Sequence, residues 1–199
     1  MFSKIFPKIH TEGYKFIVIA GFITIILLIV NGFLGLIGLL LTIWVYYFFR
    51  DPERAIIGDD NYLVSPADGE VIKVEEVDGP KELNLENKKF KKISIFMNVF
   101  DCHVNRTPCS GTVEDILYKP GKFFNASLDK ASEDNERNYY KLKDNHGNDI
   151  VVVQIAGLVA RRIVCETNKD QTLNQGDRIG MIRFGSLSLI HISEPTRPS

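Results

Sequence analysis

Between Phe16 and Phe49 the chain carries no charged residue, and that one stretch restricts the fold of the N-terminal quarter more than any other feature. A single helix of that length would reach about 50 Å at about 1.5 Å per residue, well beyond a hydrocarbon core of about 30 Å. Asn31-Gly32 divides the stretch, and an Asn-Gly step is a strong turn signal. The expected structure is a hairpin of two short membrane helices, Phe16 to Val30 and Phe33 to Phe49. Each is slightly shorter than the usual span of about 20 residues, which leaves a tilted or re-entrant pair open. Trp44, Tyr46 and Tyr47 fall near the second end, where interfacial aromatics belong. A cleaved signal peptide fits poorly, because its apolar core is about 7–15 residues and ends in small residues rather than bulky aromatics. Lys4, Lys8 and Lys15 precede the stretch and Arg50 and Arg54 follow it. By the positive-inside rule both ends then lie in the cytoplasm, so the rest of the chain faces the cytoplasmic side of the cell membrane.

The 199 residues leave room for one domain beside this anchor. Twenty-four basic residues nearly balance 25 acidic ones, so bulk electrostatics gives no reason to expect a nucleic-acid partner. Cys102, Cys109 and Cys165 are odd in number and form no C-x-x-C pair. That argues against a disulfide framework and favours a reducing compartment. No His, Cys and carboxylate cluster has metal-ligand spacing, so no metal is expected.

Beyond Arg54 the pattern changes to short runs rich in Val, Ile and Phe. Candidate strands are Glu70 to Val77, Lys91 to Val99, Gly111 to Leu117, Ile150 to Ile155, Val159 to Glu166 and Arg178 to Arg183. Turn residues separate them at Asp78-Gly79-Pro80, Pro120-Gly121, His146-Gly147-Asn148 and Gln175-Gly176-Asp177. No helix-period run of useful length interrupts them. The expected fold class is mainly β, a compact sandwich or barrel-like domain behind a helical membrane hairpin. The polar segment Lys119 to Tyr140 breaks the strand rhythm and is expected to be a long functional loop.

Three motifs stand in order along the chain: Phe48-Phe49-Arg50-Asp51-Pro52-Glu53-Arg54, Ser65-Pro66-Ala67-Asp68-Gly69 and His103-Val104-Asn105-Arg106-Thr107-Pro108. A fourth, Arg183-Phe184-Gly185-Ser186, follows them. Each is weak alone: Asp-Gly is a common turn, and any loop can hold Gly-Ser. Together, from about Phe48 to Ser186, they resemble the short-type phosphatidylserine decarboxylase proenzymes. The segments around Asp68 and Gln175-Gly176-Asp177 are also similar to biotinyl and lipoyl carrier domains, which share the core of that family.

The resemblance implies that the Gly185–Ser186 bond cuts itself and that Ser186 becomes a pyruvoyl group. The chemistry explains the need: decarboxylation of an amino acid leaves a carbanion, and no standard side chain offers an electrophilic carbonyl to accept it. Ser186 Oγ would attack the Gly185 carbonyl, and a serine hydroxyl needs a base to take its proton. His103 is the candidate base and Asp68 the candidate carboxylate orienting its ring, in the logic of a catalytic triad. Longer family members carry a second histidine three residues on, where this chain has Arg106; His103 is therefore assigned to both maturation and decarboxylation. Arg161 and Arg162 match the family as contacts for a phosphate or carboxylate, though solvated arginines on adjacent strand positions fit as well. Asn125 and Lys130, in the polar loop, complete the weaker substrate-binding candidates. Cys102 beside His103 is set aside as a nucleophile, since neighbours on a strand point to opposite faces.

The resemblance further implies a phospholipid substrate, phosphatidylserine converted to phosphatidylethanolamine and carbon dioxide, and a cleaved small subunit as partner. A homo-oligomer is compatible with it. An archaeal ether-lipid serine decarboxylase would share every motif. A non-catalytic, membrane-anchored carrier-like β domain would share the fold, but it needs a lysine at a hairpin tip. Leu187 to Ser199 does not resemble the family's ending and reads like a translated sequencing adapter. The expected organisation is thus a cytoplasmic segment 1–15, a hairpin 16–49, a decarboxylase domain 50–186 and an artefactual tail 187–199. On that reading the natural small subunit is largely absent from this chain.

Overall fold

A computed structural model describes residues 7–121, 135–157 and 162–183 in full and residues 186–193 as backbone. The chain forms two compact units, Met1–Arg54 and Ala55–Ser199.

In the first unit, helix α1 spans Gly13–Val30 and α2 spans Gly32–Phe48. The divider works by capping rather than by a tight turn. Asn31 is extended, at φ −161°, and its side-chain oxygen accepts from the Phe33 and Leu34 amides at 2.8 and 3.3 Å. Its own N–H closes α1 on Leu27 O at 2.8 Å. One residue therefore ends one helix and satisfies orphan donors of the next. The two helices pack through small residues: a side chain at Gly38 would meet Thr24 Oγ1 at 2.9 Å, and Thr24 and Thr42 share a hydrogen bond of 2.9 Å. Small-residue contacts of this kind let helix backbones approach closely, and Val18, Phe22 and Ile29 lie exposed on the outer surfaces. Helix α1 is long and apolar enough to cross a membrane, while α2 is a shorter apolar helix of 17 residues.

The open end of this hairpin is closed by backbone. The His10 amide donates to Phe49 O at 2.9 Å and the Asp51 amide to Lys8 O at 2.7 Å. The Phe16 and Phe49 rings stack at 5.1 Å. The first motif, with Phe48 and Phe49 fully buried, thus holds the entering and leaving chain together on one side.

The second unit is antiparallel β. Its strands are β1 Glu70–Asp78, β2 Lys89–Met97, β3 Val104–Arg106, β4 Gly111–Lys119, β5 Arg137–Asp144, β6 Asp149–Ala156, β7 Arg162–Cys165, β8 Thr172–Leu173, β9 Arg178–Arg183 and β10 Ser186–Ser193. Seven of them form one sheet in the order β1-β2-β10-β6-β5-β4-β8, and the other three a second sheet, β3-β9-β7. Strand β6 is buried along its whole length, and its alternation feeds two cores. Ile150, Val152 and Ala156 join Met97, Tyr140, Ile163 and Ile182 in the core between the sheets. Val151, Val153 and Ile155 pack on the other face with Leu83, Leu85 and Phe90. The expected mainly-β sandwich or barrel-like class, behind an apolar helix pair, is the observed one.

Three expectations shift. The segment from Lys119 to Tyr140 is not all loop, because β5 starts at Arg137 and buries Arg137, Asn138, Tyr139 and Tyr140; residues 122–134 lie outside the described residues. Cys102 and His103 precede β3 rather than lying in a strand, so alternation does not separate them, and both are buried. The strand expected at Val159 is described only from Arg162. The adapter-like stretch supplies all but the first residue of β10, between β2 and β6. Ladder hydrogen bonds come from the backbone, so that slot constrains sequence only through alternation.

Candidate active site

The Ser65–Gly69 and His103–Pro108 motifs lie against each other, sewn by backbone. The Val64 amide donates to Pro108 O and the Arg106 amide to Pro66 O, each at 2.9 Å. Asn105 adds its side-chain amide to Pro66 O at 3.3 Å. Gly69 closes the first motif at φ +146°, and any Cβ there would run into the Phe96 carbonyl. That close approach to β2 is why the residue after Asp68 has to be glycine. Asp68 itself is half-buried in the bend leading into β1.

His103 is completely buried. Its Nδ1 lies 3.0 Å from the carbonyl oxygen of Asp101. A carbonyl only accepts, so Nδ1 bears a proton and Nε2 is the ring's other, basic position. The backbone of His103 is fixed as well, since its carbonyl accepts from the Ile182 amide of β9 at 3.1 Å. Arg106, at the position of the family's second histidine, donates Nη1 to Gly176 O at 2.9 Å. Here it ties down the Gln175-Gly176-Asp177 turn.

Strand β9 of one sheet ends at Arg183 and β10 of the other begins at Ser186. Ser186 registers with Met97 of β2 and Ala156 of β6. Ser186 lies four positions after Ile182, which is held by His103, a reach of at most about 14 Å. The same end of the domain collects the start of β1, the ends of β2 and β6, and the pair Arg162–Arg183 of β7 and β9. Arg162 is exposed there. The structure thus gathers the segments of Asp68, His103, Arg162 and Ser186. Gly185, Arg161, Asn125 and Lys130, together with the side chain of Ser186, fall outside the described residues.

Sequence reasoning assigned no role to several buried polar groups at this end. Glu136 is almost fully buried and its Oε1 accepts from the Ile163 amide at 3.2 Å. Beside it the hydroxyl of Tyr118, a residue 54% exposed, is pushed above its ordinary range by partial desolvation and by the Glu136 carboxylate, with Arg162 opposing. Asn105, Gln154 and Tyr140 form a buried chain of hydrogen bonds. A polar residue inside an otherwise apolar strand, such as Gln154 in Val151–Ala156, was the available sequence signal. Among the described residues no group of three His, Cys, Asp or Glu side chains could hold a metal ion.

A family model described as phosphatidylserine decarboxylase matches residues 41–198. The chain is 75% identical over 186 residues to the phosphatidylserine decarboxylase proenzyme of Pelagibacter ubique (strain HTCC1062), covering 94% of this chain and 86% of the relative. It is 52% identical over 189 residues to the protein of that name from Ruegeria pomeroyi, covering 95% and 86%. With the protein of that name from Cereibacter sphaeroides it shares 49% identity over 198 residues, covering 100% and 85%.

Proposed function

The chain belongs to the phosphatidylserine decarboxylase family, and we propose that it is a self-cleaving proenzyme. On maturation it would convert phosphatidylserine to phosphatidylethanolamine and carbon dioxide at the cytoplasmic face of the membrane. The observation that carries this reading is the meeting of the His103 segment, the Asp68 segment and the β9–β10 junction at one end of the domain.

Maturation begins when His103 Nε2 takes the proton of Ser186 Oγ, which attacks the Gly185 carbonyl carbon. The Gly185–Ser186 amide breaks and an ester forms on Oγ. Loss of the Cα proton of residue 186 expels the Gly185 carboxylate and leaves dehydroalanine. Water then releases ammonia and leaves a ketone. The Asp101 carbonyl holds Nδ1 of the ring, and Asp68, on the adjoining segment, is the carboxylate that would orient the imidazole and favour the imidazolium.

The residues present suit a pyruvoyl group at position 186. Both of its register partners, Met97 and Ala156, are fully buried. A charged α-amino terminus would be desolvated there at a cost of several kcal/mol, whereas the pyruvoyl ketone is neutral. When present, the group supplies the electron sink for decarboxylation. His103 then holds the proton that replaces carbon dioxide, and Arg162 at the mouth of the site offers a forked donor to the lipid's anionic headgroup. Strand β10 has ladder partners on both sides, which would retain the small subunit after the cut.

A time course of intact mass tests the proposal. The chain should divide into a fragment ending at Gly185 and one starting at position 186, and Ser186→Ala should stay whole. An uncut wild type would favour the carrier-like reading instead.

A further inference from the structure

Two amides sit where an apolar core would cost less. Asn105 of β3 and Gln154 of β6 are both fully buried between the sheets, and an unsatisfied amide there costs roughly 2–7 kcal/mol. Their hydrogen bonds run in a single direction that the chemistry fixes. The Pro66 carbonyl can only accept, so Asn105 presents Nδ2 to it at 3.3 Å. Asn105 Oδ1 then faces Gln154 Nε2 at 2.8 Å, and Gln154 Oε1 is left to accept from the Tyr140 hydroxyl at 2.7 Å. Burial raises the Tyr140 hydroxyl well above its ordinary range, so the phenol keeps the proton this arrangement needs. One orientation satisfies all the members, and reversing any amide would break it.

The anchors of this relay are the parts whose spacing decides the cut. Pro66 is two residues from Asp68, and Asn105 two residues from His103. Gln154 registers with Ser188 of β10 and lies two residues before Ala156, the register partner of Ser186. The relay is a side-chain link between the sheet beside the base and the sheet bearing Ser186. A nucleophile and base displaced by about 1 Å lose roughly 10²-fold in rate.

We propose that Asn105 and Gln154 are positioning residues for self-cleavage, holding His103 and Asp68 in register with position 186. This rests on the self-cleavage reading above. Each would act through the segments it joins.

Gln154→Glu separates positioning from general support of the fold. A neutral glutamic acid preserves both bonds, accepting from Tyr140 and donating to Asn105 Oδ1. The ionised form cannot donate and repels that oxygen. Burial raises such a carboxyl by up to about 3–5 pH units. The cleavage rate of the variant relative to wild type should therefore be near one at pH 5 and fall at least tenfold by pH 9. Tyr140, Cys165 and Glu166, which bear on one another here, and His103 are common to both proteins and cancel in the ratio. A ratio that stays flat with pH overturns the proposal, whether high or low.

Amide exchange in Ser186→Ala chains reads the same link without any cleavage. Adding Gln154→Leu should speed exchange at Arg106 and Ile182, the amides held by Pro66 and His103, at least tenfold. Exchange at the Phe90 end of β1–β2 should not change. Unaltered exchange at Arg106 and Ile182, or equal acceleration everywhere, overturns the proposal. If the wild type never cuts, the self-cleavage reading fails on its own, and the exchange data still decide whether the relay positions His103.

Discussion

His103 donates its Nδ1–H to the carbonyl oxygen of Asp101 at 3.0 Å, two residues back in the chain. The bond leaves Nε2 as the basic atom of a fully buried ring. His103→Asn can keep a donor near Asp101 and loses the base. Self-cleavage should fall by about 10²–10⁴-fold with little change in melting temperature, followed by gel densitometry and thermal denaturation. Cleavage within tenfold of wild type would take the base role from His103.

Gly69 combines φ +146° with contact against the Phe96 carbonyl. Gly69→Ala should destabilise the domain by more than about 2 kcal/mol through strain and displacement. It should also slow cleavage, because Asp68 moves with it. Urea unfolding and the cleavage time course check both effects, and a neutral substitution would mean that β2 yields.

Asp149 lies at the far end of the same sheet, its side chain 4% exposed and paired with Lys88 and Lys143. Burial opposes its charge, but the two lysines outweigh burial and hold the carboxyl below the usual carboxylate range. A depressed folded value means that the stabilisation is present above the unfolded pKa of about 3.9 and is lost as pH falls through the folded one. Asp149→Asn should cost about 1–3 kcal/mol at pH 7, reduced because both lysines are more than a third exposed. The gap from wild type should close below about pH 4, measured as melting temperature against pH.

Asn31 ends α1 and caps α2. Asn31→Leu should cost about 1 kcal/mol at the cap and favour one continuous helix over the hairpin. The hairpin itself is read in sealed vesicles oriented with the catalytic unit outward. There the thiol introduced by Ser3→Cys and the exposed Cys165 should both react with an impermeant maleimide. Protection of the thiol at position 3 alone would show a single crossing.

Leu187–Ser199 can be exchanged for the corresponding segment of the Pelagibacter ubique relative. The chimera should release carbon dioxide from phosphatidylserine vesicles, while the chain as it stands should not. Decarboxylation by the unaltered chain would contradict the adapter origin of that segment.

Much of this architecture was legible in the residues. The uncharged stretch and Asn31 delimit both helices to within a few positions, because lipid-facing helices tolerate little else. The alternating β1 and the apolar β6 were equally plain. Strand β5 was hidden because Arg137, Asn138 and Lys141 imitate a loop, although Arg137 and Asn138 are buried in tertiary surroundings that local sequence does not show. The Ser65–Gly69 and His103–Pro108 motifs were plain in the residues and lie against each other through backbone bonds, but the Asn105–Gln154 relay joins residues 49 positions apart. The bond from His103 Nδ1 to the Asp101 carbonyl depends on a local bend that residue types alone leave open.

The central claim is that Ser186 is consumed in the cut, and the mass of the small fragment tests it most directly. The account predicts a first residue that resists Edman degradation, lighter by one ammonia than a fragment beginning with serine. A small fragment that opens with an intact serine and a free amine would contradict it.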